Sequence, residues 1–151
     1  MHGPYTSGYW DSMVKEVETL TDKDAWAEIA REQWMKVVPS TWAFKVKRLP
    51  DGSLCKLKAR FCVRGDQQII GVDFFEMYAP VVSWITIRTL LILSTIYNLS
   101  SCQVDYTAAF VHAEVKEDIY IEMPHEFQKP GKVLKLKKLL YGLRQSPHNF
   151  F

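Results

Sequence analysis

Two alternating runs joined by Pro-Asp-Gly constrain this chain more than any other feature in it. Trp42, Phe44 and Val46 alternate with Ala43, Lys45 and Lys47. After the turn Leu49-Pro50-Asp51-Gly52-Ser53, Leu57, Ala59, Phe61 and Val63 alternate with Lys56, Lys58, Arg60, Cys62 and Arg64. Pro presets φ and Gly accepts the positive φ that closes a tight turn, so the pattern predicts a hairpin over 41–64. Side chains on a strand alternate between faces, which sets every strong base of both strands except Arg48 opposite the aromatics. The result is a ribbon with one apolar and one cationic face, and a solvated sheet surface is its plain alternative to a polyanion grip.

The rest of the chain gives shorter signals. Trp10, Met13, Val14, Val17 and Leu20 fall on one helical stripe over 9–20, with Lys15, Glu16 and Glu18 on the other side. Residues 25–36 read as a continuation of helix that Pro39 ends. Gly65 breaks the second strand, and 66–80 reads as irregular chain anchored by Phe74-Phe75. Ser83 caps a helix over 84–98, and its apolar residues cover so much of the circumference that burial on more than one side is expected. Residues 103–105 read as a short strand ending on an acid, and 107–111 as a helical turn. Two more strands follow over 119–122 and 133–136, separated by Pro130-Gly131. Ser146-Pro147 reads as a hydroxyl cap with Pro at the first helical position.

Composition sets the class. With 151 residues, 48% hydrophobic and 24% charged, the chain suits one soluble domain of ordinary size. The longest apolar stretch, 84–99, carries Arg88 and several hydroxyls, so no membrane span is expected. Residues 1–10 lack the basic and apolar regions of a secretory signal. Three scattered cysteines, an odd number, argue for reduced thiols rather than a disulfide framework. Charge is placed in blocks. Residues 41–65 carry Lys45, Lys47, Arg48, Lys56, Lys58, Arg60 and Arg64 against Asp51 alone. Residues 132–151 carry Lys132, Lys135, Lys137, Lys138 and Arg144 with no acid, and the stretch between the two blocks is acidic. Two basic blocks around an acidic middle suit a protein that meets a polyanion at two places.

Three features carry chemistry. Asp105 stands at the end of an apolar segment, where a carboxylate holds Mg²⁺ together with substrate phosphates, or else caps the following turn. The cationic ribbon is the second. The third is Leu139-Leu-Tyr-Gly-Leu-Arg-Gln-Ser-Pro147, which is either a site loop or an ordinary strand-to-helix connection.

Taken in order, these segments resemble the reverse transcriptase of copia-type (pseudovirus) long-terminal-repeat retrotransposons, from about Trp10 onward. The resemblance rests on Thr41-Trp-Ala-Phe-Lys-Val-Lys47, Asp51-Gly52, Lys58-Ala-Arg-Phe-Cys-Val-Arg-Gly65, Gly71-Val-Asp-Phe74 and Tyr78-Ala-Pro-Val81. It continues in Val104-Asp-Tyr-Thr-Ala-Ala-Phe110, Ile119-Tyr-Ile-Glu-Met-Pro124 and Leu140-Tyr-Gly-Leu-Arg-Gln-Ser-Pro147. It implies an α+β right-hand polymerase fold, with 1–100 as fingers and 101–151 as the start of the palm. It also implies RNA-directed DNA polymerase activity, in which Asp105 is the first catalytic carboxylate and an Mg²⁺ ligand. Tyr106 would offer its backbone carbonyl to a metal, and Phe110 would lie under the incoming sugar and exclude a ribose 2′-OH. Lys58, Arg60 and Arg64 would approach the triphosphate, while Lys45, Lys47 and Lys56 would meet nucleic acid. Tyr141, Gly142 and Gln145 would frame the nascent base pair, with Gly142 allowing close backbone approach to the nucleotide.

The chain departs from the family pattern at Val111-His-Ala113 for Leu-Asn-Gly, at Glu126-Phe127 for Gly-Phe, and at Val63-Arg-Gly65 for Ala-Lys-Gly. The family's Tyr-x-Asp-Asp motif does not occur in these residues. A single carboxylate cannot hold two metals roughly 3.5–4 Å apart, so the chain alone is not expected to polymerise. The partners implied are an RNA or DNA template-primer, dNTP, and the integrase and RNase H segments of a polyprotein, with no membrane. The alternative is a non-catalytic nucleic-acid-binding remnant using the cationic hairpin. The family implies cytoplasmic particles, with the nucleus as a second location. A palm lacking neighbouring strands predicts an exposed apolar surface on the 84–98 helix and marginal stability or aggregation.

Overall fold

The structure, a computed structural model, describes residues 5–106 and 108–150. Helix α1 (Thr6–Asp22) extends the predicted first helix at both ends and buries Met13 and Leu20. It stops where Asp24 takes a φ of 51°. The helical reading of 25–36 is corrected here: Trp26–Ala30 is strand β1. Long-range pairing overrides local preference, because β1 runs antiparallel to β6 (Lys132–Leu136), where its backbone groups find partners. Strands β2 (Val37–Val38) and β5 (Tyr120–Ile121) complete a four-stranded sheet in the order β1-β6-β5-β2, in which only the β2–β5 pair is parallel.

The hairpin forms as its alternation predicts. Strands β3 (Ser40–Arg48) and β4 (Leu54–Val63) pair Trp42 with Phe61 and Phe44 with Ala59. Beyond those pairs, toward the turn, Lys45 sits opposite Lys58 and Lys47 opposite Lys56. At the turn Gly52 has a φ of 83°, and the Asp51 carboxylate accepts from Ser53 N at 2.8 Å and Ser53 Oγ at 2.6 Å. The apolar face closes over the sheet. Phe61, 1% exposed, packs edge-on against Trp26, and a core with Leu20, Val38, Ile121, Leu134 and Leu140 fills the space between the two layers.

A hairpin leaves an open outer edge, and here side chains close it. Ser12 Oγ of α1 accepts from Ala59 N at 2.8 Å and donates to Leu57 O at 3.3 Å. One turn later Glu16 stands by the same strand edge, where the Phe61 N–H draws its pKa down against burial, and Val63 N donates to Tyr141 O at 2.8 Å. Helix α1 and the 139–147 loop are thereby fastened to the same strand.

Four further expectations are corrected. Helix α2 (Trp84–Ile96) forms, and Ser83 Oγ accepts from Thr86 N at 3.2 Å, but none of its residues is buried. Of the Phe74-Phe75 pair only Phe74 is buried. Residues 101–106 are exposed and extended without strand pairing, so the expected palm strand is absent among the described residues. Helix α3 (Ser146–Phe150) includes Ser146, whose hydroxyl donates to Leu140 O at 2.6 Å instead of capping. The predicted turn at 107–111 appears as a 3₁₀ turn, Ala109–His112, while Thr107 lies outside the described residues. The three cysteines are unpaired, and no described helix is long and apolar enough to cross a membrane.

Candidate functional site

A cavity of about 280 Å³ opens between α1, the cationic face of β4 and the extended segment before the 3₁₀ turn. Period-two alternation brings Lys56, Lys58 and Arg60 into its wall from one strand face. Asp105, Tyr106 and Ala108 line it from the opposite segment, and Tyr141 from the 139–147 loop. Ala108 has a φ of 52°, the left-handed conformation that costs a non-glycine residue about 1–2 kcal/mol, and it sits where the chain turns away from Asp105. The Arg60 guanidinium lies 4.5 Å from the Tyr141 ring centroid, and the Tyr141 and Phe110 rings pack edge-on with centroids 4.8 Å apart. Phe110 packs against Tyr141 without lining the cavity itself, and the Phe150 ring, with its centroid 5.9 Å from that of Phe110, joins the aromatic cluster.

The other sequence-predicted residues lie elsewhere. Lys45 and Lys47 extend the cationic face along β3 without lining the cavity. Arg64 is exposed and forks onto the Asp66 carboxylate at 2.8 and 2.7 Å. Gly142, with φ 92°, makes its close approach to protein: an added Cβ would stand 2.1 Å from Val63 O. Gln145 is 1% exposed and bonded to Asp73 O at 2.9 Å and Gln68 Nε2 at 3.2 Å, so its amide is committed inside the fold. These geometries give Gly142 and Gln145 structural duties that their sequence positions did not disclose. Glu16 was not singled out from the sequence, yet it lines the cavity. The available signal was Ser12 and Glu16 at i and i+4, beside the apolar stripe of α1.

Electrostatics separate the two basic blocks. In the second, Lys135 pairs with Asp118 at 2.6 Å, Lys137 with Asp24 at 2.6 Å, Lys138 with Glu114 at 3.1 Å and Lys132 with Glu28 at 3.8 Å. Among the described residues, Lys45, Lys47, Lys56, Lys58 and Arg60 form no ion pair. Four lysines of the second block are thus paired with acids while Arg144 donates to Gly65 O at 2.7 Å, and the hairpin face is where several cations stand together without acid partners. Burial, with Arg60 beside it, lowers the Lys58 pKa from its ordinary value. Burial raises that of Glu16, against the pull of the Phe61 N–H, Lys58 and Arg60. A second cavity of about 420 Å³, near Arg31, Gln128 and Lys132, holds none of the predicted residues.

The described residues do not fit a complete metal centre. No group of three His, Cys, Asp or Glu side chains is placed to hold an ion among them. Asp105 is the only carboxylate on its side of the cavity, and Glu16 stands on the opposite wall.

A family model described as reverse transcriptase (RNA-dependent DNA polymerase) matches residues 23–151. The chain is 36% identical over 143 residues to the Retrovirus-related Pol polyprotein from transposon TNT 1-94 of Nicotiana tabacum, covering 93% of this chain and 11% of that protein. It is 34% identical over 118 residues to the Pol polyprotein from transposon RE1 of Arabidopsis thaliana, covering 76% of this chain and 8% of the relative. The truncated transposon Ty1-A Gag-Pol polyprotein of Saccharomyces cerevisiae is 32% identical over 148 residues, 95% of this chain and 12% of the relative. The chain thus spans about a tenth of the length of these relatives. No solved structure matches.

Proposed function

The chain belongs to the reverse transcriptase (RNA-dependent DNA polymerase) family, in its copia-type branch of transposon Pol polyproteins, and from that premise we propose that its cationic cavity receives the triphosphate of an incoming deoxynucleotide. The convergence of Lys58, Arg60, Asp105 and Tyr141 on one cavity carries this reading. Clustered cations stabilise negative charge that spreads over a transferring phosphoryl group, and an aromatic ring offers a stacking surface for a base or sugar. Lys45 and Lys47, which extend the same face without acid partners, would follow the phosphate backbone of template or primer. In this assignment 1–100 form fingers and 101–151 begin a palm within an RNA-directed DNA polymerase.

Asp105 would give one carboxylate to a Mg²⁺ site. Two ions need acids from outside these residues, since no Tyr-x-Asp-Asp occurs in them. The chain alone would then bind nucleic acid without extending a primer. Chemistry by the full polyprotein and binding by this chain are separate claims, and the second is testable directly.

The test is anisotropy of a labelled RNA–DNA hybrid against the full 151-residue chain over a salt series. Replacing Lys56, Lys58 and Arg60 together by alanine should weaken binding and flatten the slope of log K against log salt by up to about three phosphate contacts. Replacing Lys135, Lys137 and Lys138, whose charges are already paired, should change the slope little. Equal effects of the two triples, or none from the first, would refute the cavity face as the grip.

A further inference from the structure

Helix α1 precedes the residues matched by the family model, yet it forms one wall of the cavity. Ser12, Lys15, Glu16 and Thr19 line that wall at helical spacings of three and four. Ser12 is fully engaged by the β4 backbone, at Leu57 O and Ala59 N. Glu16 is different in kind. Its carboxylate shares the cavity wall with Lys58 and Arg60, near enough for both cations and the Phe61 N–H to draw its pKa down, and makes a salt bridge with neither. The other charged or titratable groups around it are Lys15 on its own helix, Lys56 and Cys62 on β4, Asp105 and Tyr106 across the opening, and Tyr141 from the 139–147 loop.

An acid fixed beside two otherwise unpaired cations lowers the potential they present to the cavity. We propose that Glu16 is a resident counter-ion of Lys58 and Arg60, competing with an entering polyphosphate for those cations and limiting how tightly the cavity holds it. The proposal rests on reading the cavity as a polyphosphate site. It assigns to α1 a part in ligand affinity in addition to its packing. The raised pKa of Glu16 agrees with it, since the carboxylate is partly withdrawn from water.

The experiment is calorimetric titration of the full chain with sodium tripolyphosphate at low salt and mildly alkaline pH, which favours the ionised carboxylate. Glu16→Gln keeps the side chain's size and its acceptor oxygen and removes only the charge. It should bind tripolyphosphate roughly three- to tenfold more tightly than the wild type. Glu18→Gln makes the same change in net charge on the exposed side of the helix and should bind like the wild type. Lys58→Ala with Arg60→Ala should abolish binding. If the double variant binds as well as the wild type, the polyphosphate reading fails and takes this inference with it. If the double variant loses binding while Glu16→Gln is no tighter than Glu18→Gln, the inference alone is overturned. Should Glu16→Gln fold poorly, the Phe61 amide resonance of the wild type serves instead. It should shift progressively as tripolyphosphate is added, and a resonance that stays fixed at saturation overturns the proposal.

Discussion

Three glycine-to-alanine substitutions separate the forces that hold the 139–147 loop against β4. Gly142 has a φ of 92°, and a Cβ there would stand 2.1 Å from Val63 O and 3.0 Å from Val63 N. Ordinary contact begins at 3.4 Å, so the loop must retreat by more than an ångström. That retreat breaks the Val63 N to Tyr141 O hydrogen bond of 2.8 Å and leaves a buried donor unpaired, at about 1–3 kcal/mol. The left-handed backbone adds about 1–2 kcal/mol for a residue with a Cβ. Gly142→Ala should therefore destabilise the chain by about 2–5 kcal/mol. Gly52→Ala isolates the second cost, because Gly52 has a φ of 83° and nothing within 4 Å of its Cβ position. It should lose only about 1–2 kcal/mol. Gly65→Ala isolates the first, since its Cβ would meet Gly142 O at 1.9 Å while its own φ is unexceptional. Urea denaturation followed by circular dichroism gives all three values. The order should be Gly142→Ala worst, Gly65→Ala intermediate and Gly52→Ala mildest. A Gly142→Ala loss within about 0.5 kcal/mol of the Gly52→Ala loss would show that the loop yields freely, and the close approach to Val63 would not be what requires glycine.

Lys47 faces Lys56 across the hairpin, so Lys47→Glu should raise the urea midpoint by an amount worth about 0.2–1 kcal/mol while weakening nucleic-acid binding; a lowered midpoint would contradict the pairing. Helix α2 exposes Ile85 at 78%, Leu91 at 56% and Ile92 at 59%, which predicts self-association in sedimentation velocity that the triple glutamate variant relieves without lowering Tm. A wild-type monomer at high concentration would contradict that. The Glu28 carboxyl is held below its usual range, first by the Lys129 hydrogen bond, so the stability it contributes is present above its unfolded pKa and disappears as pH falls through the folded value. Lys129→Ala should thus lower Tm modestly at neutral pH and leave it unchanged in strong acid, whereas an equal loss at both would assign the effect to packing.

What could be read in the sequence was whatever repeats locally. Helix α1 and the β3–β4 hairpin follow from periods of 3.6 and two that persist for several turns or pairs, and the turn between the strands names itself through Pro50, Asp51 and Gly52. Strand β1 gives no such signal. Its five residues become a strand because β6, at the other end of the chain, supplies their backbone partners. The 103–105 segment shows the converse, a stretch that reads as a strand but has no neighbour to pair with among the described residues. Apolar residues all round α2 were read as burial, but a helix can only be buried by something placed against it, and in this structure its sides face solvent. At the site, Lys58, Arg60, Asp105 and Tyr141 were legible as chemistry. Gly142 and Gln145 stand in the same motif yet serve the contacts to Val63 and Asp73 that hold the loop in place.

Charge was legible as composition and not as a field. The chain from Lys132 onward carries no acid, and along the sequence it looks as basic as the hairpin. In space, Asp24, Glu28, Glu114 and Asp118 come from two separate stretches of the chain to meet those lysines. The hairpin attracts no such partners because its cationic face points away from the core and the sheet, with only Glu16 beside it. Sheet formation brings acids to β6 because β1 and the segment before β5 flank it, whereas β4 has β3 on one side and α1 on the other. The free cations therefore gather where the fold leaves a strand face unlayered, and that same face is the wall of the cavity that holds Asp105 and Tyr141. Exposed single ion pairs contribute little to stability, so the pairing on β6 matters less for holding the fold than for leaving the hairpin as the main place where a polyanion meets uncompensated charge.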